Sequence, residues 1–240
     1  MELWLVRHGE RADEVSGVEG ERWRRSASAR QRWYDPPLTL TGHHQARQAG
    51  HFLGYQLNNI GFTRIYTSPL LRAVETSINI SKELDGLPVQ VLVGLCECAS
   101  AVRLNGVENI QLLSDVDIRR QFPQVNLVPR DASVPETFLG ACDWLASSSC
   151  RVSSRKCPGS NTCCDGIILA VAHREGIREL VGQTFATPYC SIGRFSVEMN
   201  VGGNGVSESY AVPVPSYRIL QLLSSRGHIL CVPAISTVPN

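Results

Sequence analysis

Two short, uninterrupted apolar runs each stop at a histidine: Leu3-Trp4-Leu5-Val6 runs into Arg7-His8-Gly9, and Ile167 to Ala172 runs into His173-Arg174. Continuous runs of this length, without polar alternation, are the pattern of strands buried on both faces in a parallel sheet. Such sheets bind ligands just beyond the carboxyl ends of their strands, so the two histidines are expected to meet at one site. A third strand-like run, Phe62 to Tyr66, precedes a helix start: Ser68 suits the N-cap, Pro69 the first helical position, and Leu71, Val74 and Ile78 recur at helical spacing. Arg72 then falls in the first turn of that helix, where its charge adds to the anion-favouring N-terminus. The segment Asp35 to Ala46 opens another helix, with Ala46, Ala49, Phe52 and Leu53 on one face. Val89 to Glu97 reads as a strand ending in a carboxylate. Tyr217 to Leu223 and His228 to Val232 read as late strands, with Gly202 to Gly205 a turn and Pro213 and Pro215 marking a sheet edge. Strands alternating with helices predict an α/β fold.

At 240 residues, 43% hydrophobic and 19% charged, the chain has enough apolar material for one large domain over residues 1–240. Two stretches read as insertions, near 12–34 and 147–165. A net charge of +1 provides no basic field, which argues against nucleic acid as a partner. The N-terminal apolar run is interrupted at Arg7, and no stretch reads as a signal peptide or membrane span, so a cytoplasmic location is expected. Among the nine cysteines, Cys96, Cys98, Cys142, Cys190 and Cys231 lie in core-like patterns and read as reduced thiols. Cys150, Cys157, Cys163 and Cys164 cluster in a Ser-rich segment, but the adjacent pair is not zinc-ligand spacing, and the segment reads as a mobile insertion. His43, His44 and His51 lack companion ligands at metal spacing. No metal and no cofactor is expected.

Histidine with arginine at both strand ends suits phosphoryl transfer. A neutral imidazole can attack phosphorus, while arginine forks hold the oxygens and offset charge that builds in the transition state. Glu97, at the end of its strand, is placed to donate a proton. Simpler readings stand beside these: Ser68 as a helix cap, and Glu10 and Glu75 as ion-pair partners holding the arginines in place. From Arg22 to Tyr34 the first insertion carries Arg22, Arg24, Arg25, Arg30 and Arg32, with Trp23, Trp33 and Tyr34 and no acid until Asp35. A solvated loop and a substrate-binding lip fit that composition equally. With Arg174, these arginines would form a positive rim.

Arg7-His8-Gly9-Glu10, Leu38-Thr39 with Gly42 and Gln45-Ala46, Ser68-Pro69-Leu70 with Arg72-Ala73 and Glu75-Thr76, then Glu97 and His173, resemble in order and spacing the signatures of the histidine phosphatase superfamily, also called phosphoglycerate mutase-like. Arg11 and the Asp35-Pro36-Pro37-Leu38 run most resemble the phosphatase domains of the suppressor-of-T-cell-receptor-signalling and ecdysteroid-phosphate phosphatase group. The resemblance implies a three-layer sandwich with a mostly parallel central sheet and helices on both faces. It implies a metal-independent phosphoric monoester hydrolase of the histidine acid phosphatase type, with His8 becoming phosphohistidine and Glu97 serving as acid and then base. Arg7, Arg11, Arg72 and His173 would contact the phosphate. The implied partner is a phosphorylated small molecule or a phosphotyrosine-type substrate. A phosphoglycerate mutase-type phosphotransferase and a catalytically weak scaffold of the same fold are the alternatives. Arg11-Ala12-Asp13-Glu14 departs from the mutase pattern after the first motif, and Ala172 and Arg174 depart from the Ser or Thr and the Gly that flank the second histidine in relatives.

Overall fold

The computed structural model describes residues 2–56, 62–97, 110–152, 167–181, 187–200 and 214–223. Their order is β1 (Glu2–Arg7), α1 (Val18–Arg25), α2 (Ala27–Gln31), α3 (Leu40–Gln56), β2 (Ile65–Thr67), α4 (Leu71–Glu83), β3 (Val89–Val91), α5 (Asp115–Gln121), β4 (Leu127–Val128), α6 (Phe138–Val152), β5 (Ile167–Ala172), α7 (Arg174–Val181), β6 (Ile192–Asn200) and β7 (Val214–Leu223). The strands form one sheet in the order β4-β3-β2-β5-β1-β6-β7. From β4 to β1 every pairing is parallel, whereas β6 runs antiparallel to both β1 and β7. β7 lies at the outer edge, as Pro215 suggests, while Pro213 lies outside the described residues.

Alternation along β1 divides the core into two layers. Trp4 and Val6 point to one face and pack with Ala46, Ala49 and Leu53 of α3 and Ala73, Val74 and Ile78 of α4. Leu3 and Leu5 point to the other and pack with Ala141, Cys142 and Leu145 of α6 and Ile177 and Leu180 of α7. A strand sealed on both faces has no polar side to display, which is why its sequence is a continuous apolar run. The result is the three-layer sandwich. Each fully buried Leu, Ile or Phe in these layers contributes roughly 1.5–3 kcal/mol from removal of apolar surface from water.

Several local expectations change in the folded chain. The strand predicted through Glu97 ends at Val91, and Val93–Leu95 forms a 3-10 turn. Gly94 lies in that turn, and a Cβ there would stand 2.3 Å from the carbonyl oxygen of Pro135. Ser68 is not the cap of α4: the helix starts at Leu71 with Leu70 at the N-cap position and no capping side chain of its own. The carboxylate of Asp35, brought from far along the chain, accepts the Leu71 N–H at 2.6 Å. The first stretch expected as an insertion, 12–34, is helical in part and holds α1 and α2. Of the second, α6 reaches Val152; the remainder, with Cys157, Cys163 and Cys164, lies outside the described residues. So do Cys98, Cys231, the Gly202 to Gly205 turn and the strand expected at 228–232. Cys96, Cys142 and Cys190 are free thiols. No helix among the described residues is long and apolar enough to cross a membrane.

The start of α3 is fastened to the loop after β1. Thr39 accepts the Gly42 N–H at 2.9 Å through its hydroxyl oxygen and donates its own hydroxyl proton to Glu10 at 2.7 Å. The Gln45 side chain accepts the Glu10 N–H at 2.9 Å. These bonds bring backbone against backbone: a Cβ on Gly42 would lie 2.3 Å from the Glu10 carbonyl oxygen, and one on Gly9 would lie 2.6 Å from the Gly42 carbonyl oxygen. Gly42→Ala should therefore lower stability by about 1–3 kcal/mol through overpacking against rigid backbone. Its denaturation midpoint should fall with an unchanged m-value, whereas an unaltered midpoint would show that the helix can shift freely.

Candidate active site

Four adjacent strands, β3, β2, β5 and β1, deliver the site residues from their carboxyl ends. Glu97 follows β3, Ser68 and Arg72 follow β2, His173 follows β5, and His8 follows β1. β1 and β5 are in register, with Arg7 opposite Ala172, and the His8 N–H extends the ladder by donating to the Ala172 carbonyl at 3.1 Å. The next residue on each strand is a histidine, and the two rings lie 5.1 Å apart, centroid to centroid. Both are almost fully buried, at 2% and 1% exposure.

Local bonds set the state of each imidazole. His8 Nδ1 lies 2.8 Å from the Gly9 carbonyl oxygen, which can only accept, so Nδ1 carries the proton and Nε2 keeps its lone pair. Burial, then the positive charge of Arg72, hold the His8 pKa well below the ordinary histidine range. The same two causes depress His173, with Arg11 and Arg7 adding to them. Both rings are therefore neutral at physiological pH. His173 Nε2 meets the Ser68 hydroxyl at 2.8 Å, and its Nδ1 lies 3.8 Å from Glu97 Oε2.

Arg7 and Arg72 are buried cations, Arg7 held by neutral groups and Arg72 by a carbonyl and one carboxylate. Arg7 Nη1 donates to the Thr187 carbonyl, and its guanidinium lies 4.0 Å from the centre of the Tyr189 ring. Arg72 Nη1 donates to the Tyr34 carbonyl at 3.1 Å, while Nη2 pairs with Glu97 Oε2 at 2.5 Å. Arg7 Nε, Arg72 Nε and His173 Nδ1 have no hydrogen-bond partner among the described residues. The two arginine Nε donors, buried and left open in this way, carry a desolvation cost that an incoming anion can recover. The α4 helix is tied to the same loop, since Thr76 accepts the Gly9 N–H at 3.0 Å and donates to the Arg72 carbonyl at 2.7 Å.

The structure thus brings His8, His173, Arg7, Arg72 and Glu97 together. Arg11 reaches the same cluster through its charge, which acts on His173 and Arg72, while its side chain is bonded to acids: Nε and Nη2 grip Asp13 in a two-point contact at 2.7 and 2.6 Å, and Nη1 lies 3.5 Å from Glu14. Glu10 and Glu75 do not hold the arginines. Glu10 accepts from the Thr39 hydroxyl, and buried Glu75 accepts the Leu38 N–H at 2.7 Å, because each points toward the entry of α3. Arg25 pairs with Glu21, Arg32 with Asp35 and Arg174 with Glu175, so much of the rim charge has a local counterion. The described residues contain no group of three or more potential metal ligands, and His43 instead approaches the Asn79 side-chain amide at 3.0 Å.

Four contributors escape sequence reading. Tyr189, half-buried, sits 5.7 Å from the His8 ring. Asp35 anchors α4, and the backbone carbonyls of Tyr34 and Thr187 hold the two arginines. The Asp35-Pro36-Pro37 run marks a turn, yet nothing in it indicates which helix it caps. A carbonyl leaves no trace in residue identity.

A family profile described as the histidine phosphatase superfamily (branch 1) matches residues 3–126. The chain is 26% identical over 226 residues to ubiquitin-associated and SH3 domain-containing protein A of Mus musculus, covering 81% of this chain and 34% of that protein. To the Homo sapiens protein of the same name it is 25% identical over 224 residues, covering 80% and 32%. The chain spans about a third of the length of these curated relatives. Among solved structures, the ecdysone phosphate phosphatase from Bombix mori in complex with tungstate aligns with a TM-score of 0.57 at 17% identity, over 100% of this chain and 95% of that one. This likeness shows a shared phosphoglycerate mutase-like fold.

Glu75 yields a test of the site's foundation. Burial raises its carboxyl from an ordinary value of 4.5 to about 7, with nearby Asp35 adding in the same direction. Between these pH values the folded chain retains a proton that the unfolded chain has released, so stability falls as pH rises from 4.5 toward 7 and stays lower above it. Glu75→Gln keeps an acceptor for Leu38 and removes the charge. It should stabilise the protein by roughly 1–3 kcal/mol at pH 8 and by much less at pH 5. Thermal unfolding at both pH values checks this, and equal effects at the two would contradict it.

Proposed function

The chain belongs to the histidine phosphatase superfamily, whose profile matches more than half its length, and on that premise we propose that it is a metal-independent phosphomonoester hydrolase that works through a phosphohistidine on His8. The observation that carries the reading is the pair of open buried donors, Arg7 Nε and Arg72 Nε, with the unpartnered His173 Nδ1, around a neutral imidazole whose Nε2 is free. A phosphate group supplies the acceptors and negative charge that these donors lack.

The steps follow from the geometry. The entering phosphate ester, a monoanion that brings one proton, competes with the Glu97 carboxylate for Arg72 Nη2, and the released carboxylate, still beside His173, takes up that proton and is placed to deliver it to the ester oxygen. His8 Nε2 attacks phosphorus, the P–O bond to the leaving group breaks, and Glu97 donates its proton to that oxygen. In the second half Glu97 takes a proton from water, whose oxygen attacks phosphorus and breaks the P–N bond. His8 is regenerated neutral. Arg7 and Arg72 serve both halves by balancing charge on the transferring group.

Hydrolysis is favoured over phosphoglycerate mutation by the turn after the nucleophile. Asp13 and Glu14 place carboxylates around Arg11, which disfavours a second phosphate at that point. The substrate class is a phosphorylated small molecule, with an aryl phosphate of the phosphotyrosine type as the second candidate. The Bombix mori neighbour's name, an ecdysone phosphate phosphatase, supports the first.

Hydrolysis of phosphate monoesters should persist in EDTA and fall by at least about a thousandfold in His8→Ala. Glu97→Gln should slow alkyl phosphates by about 10²–10⁴ but 4-nitrophenyl phosphate far less, because a good leaving group needs little protonation. Equal losses on the two esters would remove Glu97 from the acid role, and full activity in His8→Ala would overturn the proposal.

A further inference from the structure

The segment Thr187 to Ser191 clasps the end of β1. The Arg7 N–H donates to the Ser191 carbonyl at 3.0 Å, the Cys190 N–H donates to the His8 carbonyl at 3.3 Å, and Arg7 Nη1 reaches the Thr187 carbonyl. Cys190 adopts a left-handed backbone conformation, φ 52°, which a side chain rarely takes without support from its surroundings. Between these contacts stands Tyr189. Its ring covers the Arg7 guanidinium at 4.0 Å and lies 5.7 Å from the His8 ring, on which His173 also packs at 5.1 Å. Its hydroxyl donates to Glu14, and Glu14 also lies 3.5 Å from Arg11.

Resting on the phosphatase reading above, we propose that Tyr189 is a positioning residue: its ring holds the Arg7 guanidinium in the orientation that binds phosphate and restrains the neighbouring His8 ring. An arginine with one open Nε needs a fixed plane if its fork is to meet an anion in one geometry. The Thr187 carbonyl fixes one nitrogen of that plane, and the aromatic face fixes its tilt. Stacking also leaves the N–H groups, which lie in the guanidinium plane, available to an anion. The Tyr189 hydroxyl is engaged by Glu14 and anchors the ring; it does not face the phosphate as a free donor.

The test is binding of inorganic phosphate, measured by isothermal titration with wild type, Tyr189→Phe, Tyr189→Leu, Arg7→Lys and the Tyr189→Leu/Arg7→Lys double variant. Tyr189→Leu should weaken binding by about tenfold, the range of a desolvated cation–aromatic contact, and Tyr189→Phe, which retains the ring, should stay within about threefold. Because the ring acts through Arg7, the loss caused by Arg7→Lys should be several-fold smaller in the Tyr189→Leu background than in wild type. A merely structural role would give independent losses that multiply. Tyr189→Met, which fills similar space without an aromatic face, provides the same comparison if Tyr189→Leu does not fold. Multiplying losses, or a Tyr189→Phe defect as large as that of Tyr189→Leu, would overturn the proposal. A wild type that binds phosphate but hydrolyses no ester would contradict the enzymatic reading while the Tyr189 comparison still stands. A wild type that binds no phosphate would sink both.

Discussion

The in-register parallel pairing of β1 with β5 is the constraint on which the remaining arrangement depends. Two neighbouring parallel strands that each end at a histidine must set two imidazoles side by side at one edge of the sheet. β2 and β3, next in the sheet, bring Arg72 and Glu97 to the same edge. No loop has to reach across the molecule to assemble this group. A one-residue shift in register would turn the apolar residues of β1 between the two core layers as well as separate the histidines. Packing and chemistry are thereby secured by the same pairing.

The second constraint is electrostatic. Arg7 and Arg72 are buried, yet backbone carbonyls of Thr187 and Tyr34 supply part of their bonding. A carbonyl satisfies an N–H without cancelling a full charge, so the positive field stays available. Glu97 is the carboxylate paired directly with Arg72, and in the proposed mechanism it is also the group that protonates the leaving oxygen. In the proposed mechanism an anion that replaces Glu97 on Arg72 binds and frees that carboxylate to carry a proton in one exchange. The same field, together with burial, keeps His8 neutral, which is the state in which its Nε2 can attack. On the proposed mechanism, attraction for phosphate and nucleophilicity of histidine arise from one distribution of charge.

Much of this arrangement is legible in the residues, and the reasons are local. His8, Arg72, Glu97 and His173 each lie within a few positions of the end of an apolar run, so recognising the strands places them at the carboxyl edge. The helix through Ala46, Ala49 and Leu53 is likewise visible in its spacing. What escapes depends on distant partners. Ser68 suits a cap but bonds His173, while Asp35 takes over the helix start from 36 positions away. Glu75 sits one turn from Arg72, yet its carboxyl turns toward the Leu38 N–H. Tyr189 belongs to a short turn without periodicity, and its contact with Arg7 exists only because β6 returns beside β1.

The central claim is that His8 is a neutral imidazole with its proton on Nδ1, held by Gly9, and a free lone pair on Nε2. Long-range ¹H–¹⁵N correlation spectra of ¹⁵N-histidine-labelled protein, assigned with a His8→Gln variant and recorded from pH 5.5 to 8, read this state directly. A protonated Nδ1 and an unprotonated Nε2 are expected for His8, unchanged across that range. A proton on Nε2, or an imidazolium that titrates near 6.5 as ordinary histidine does, would contradict it.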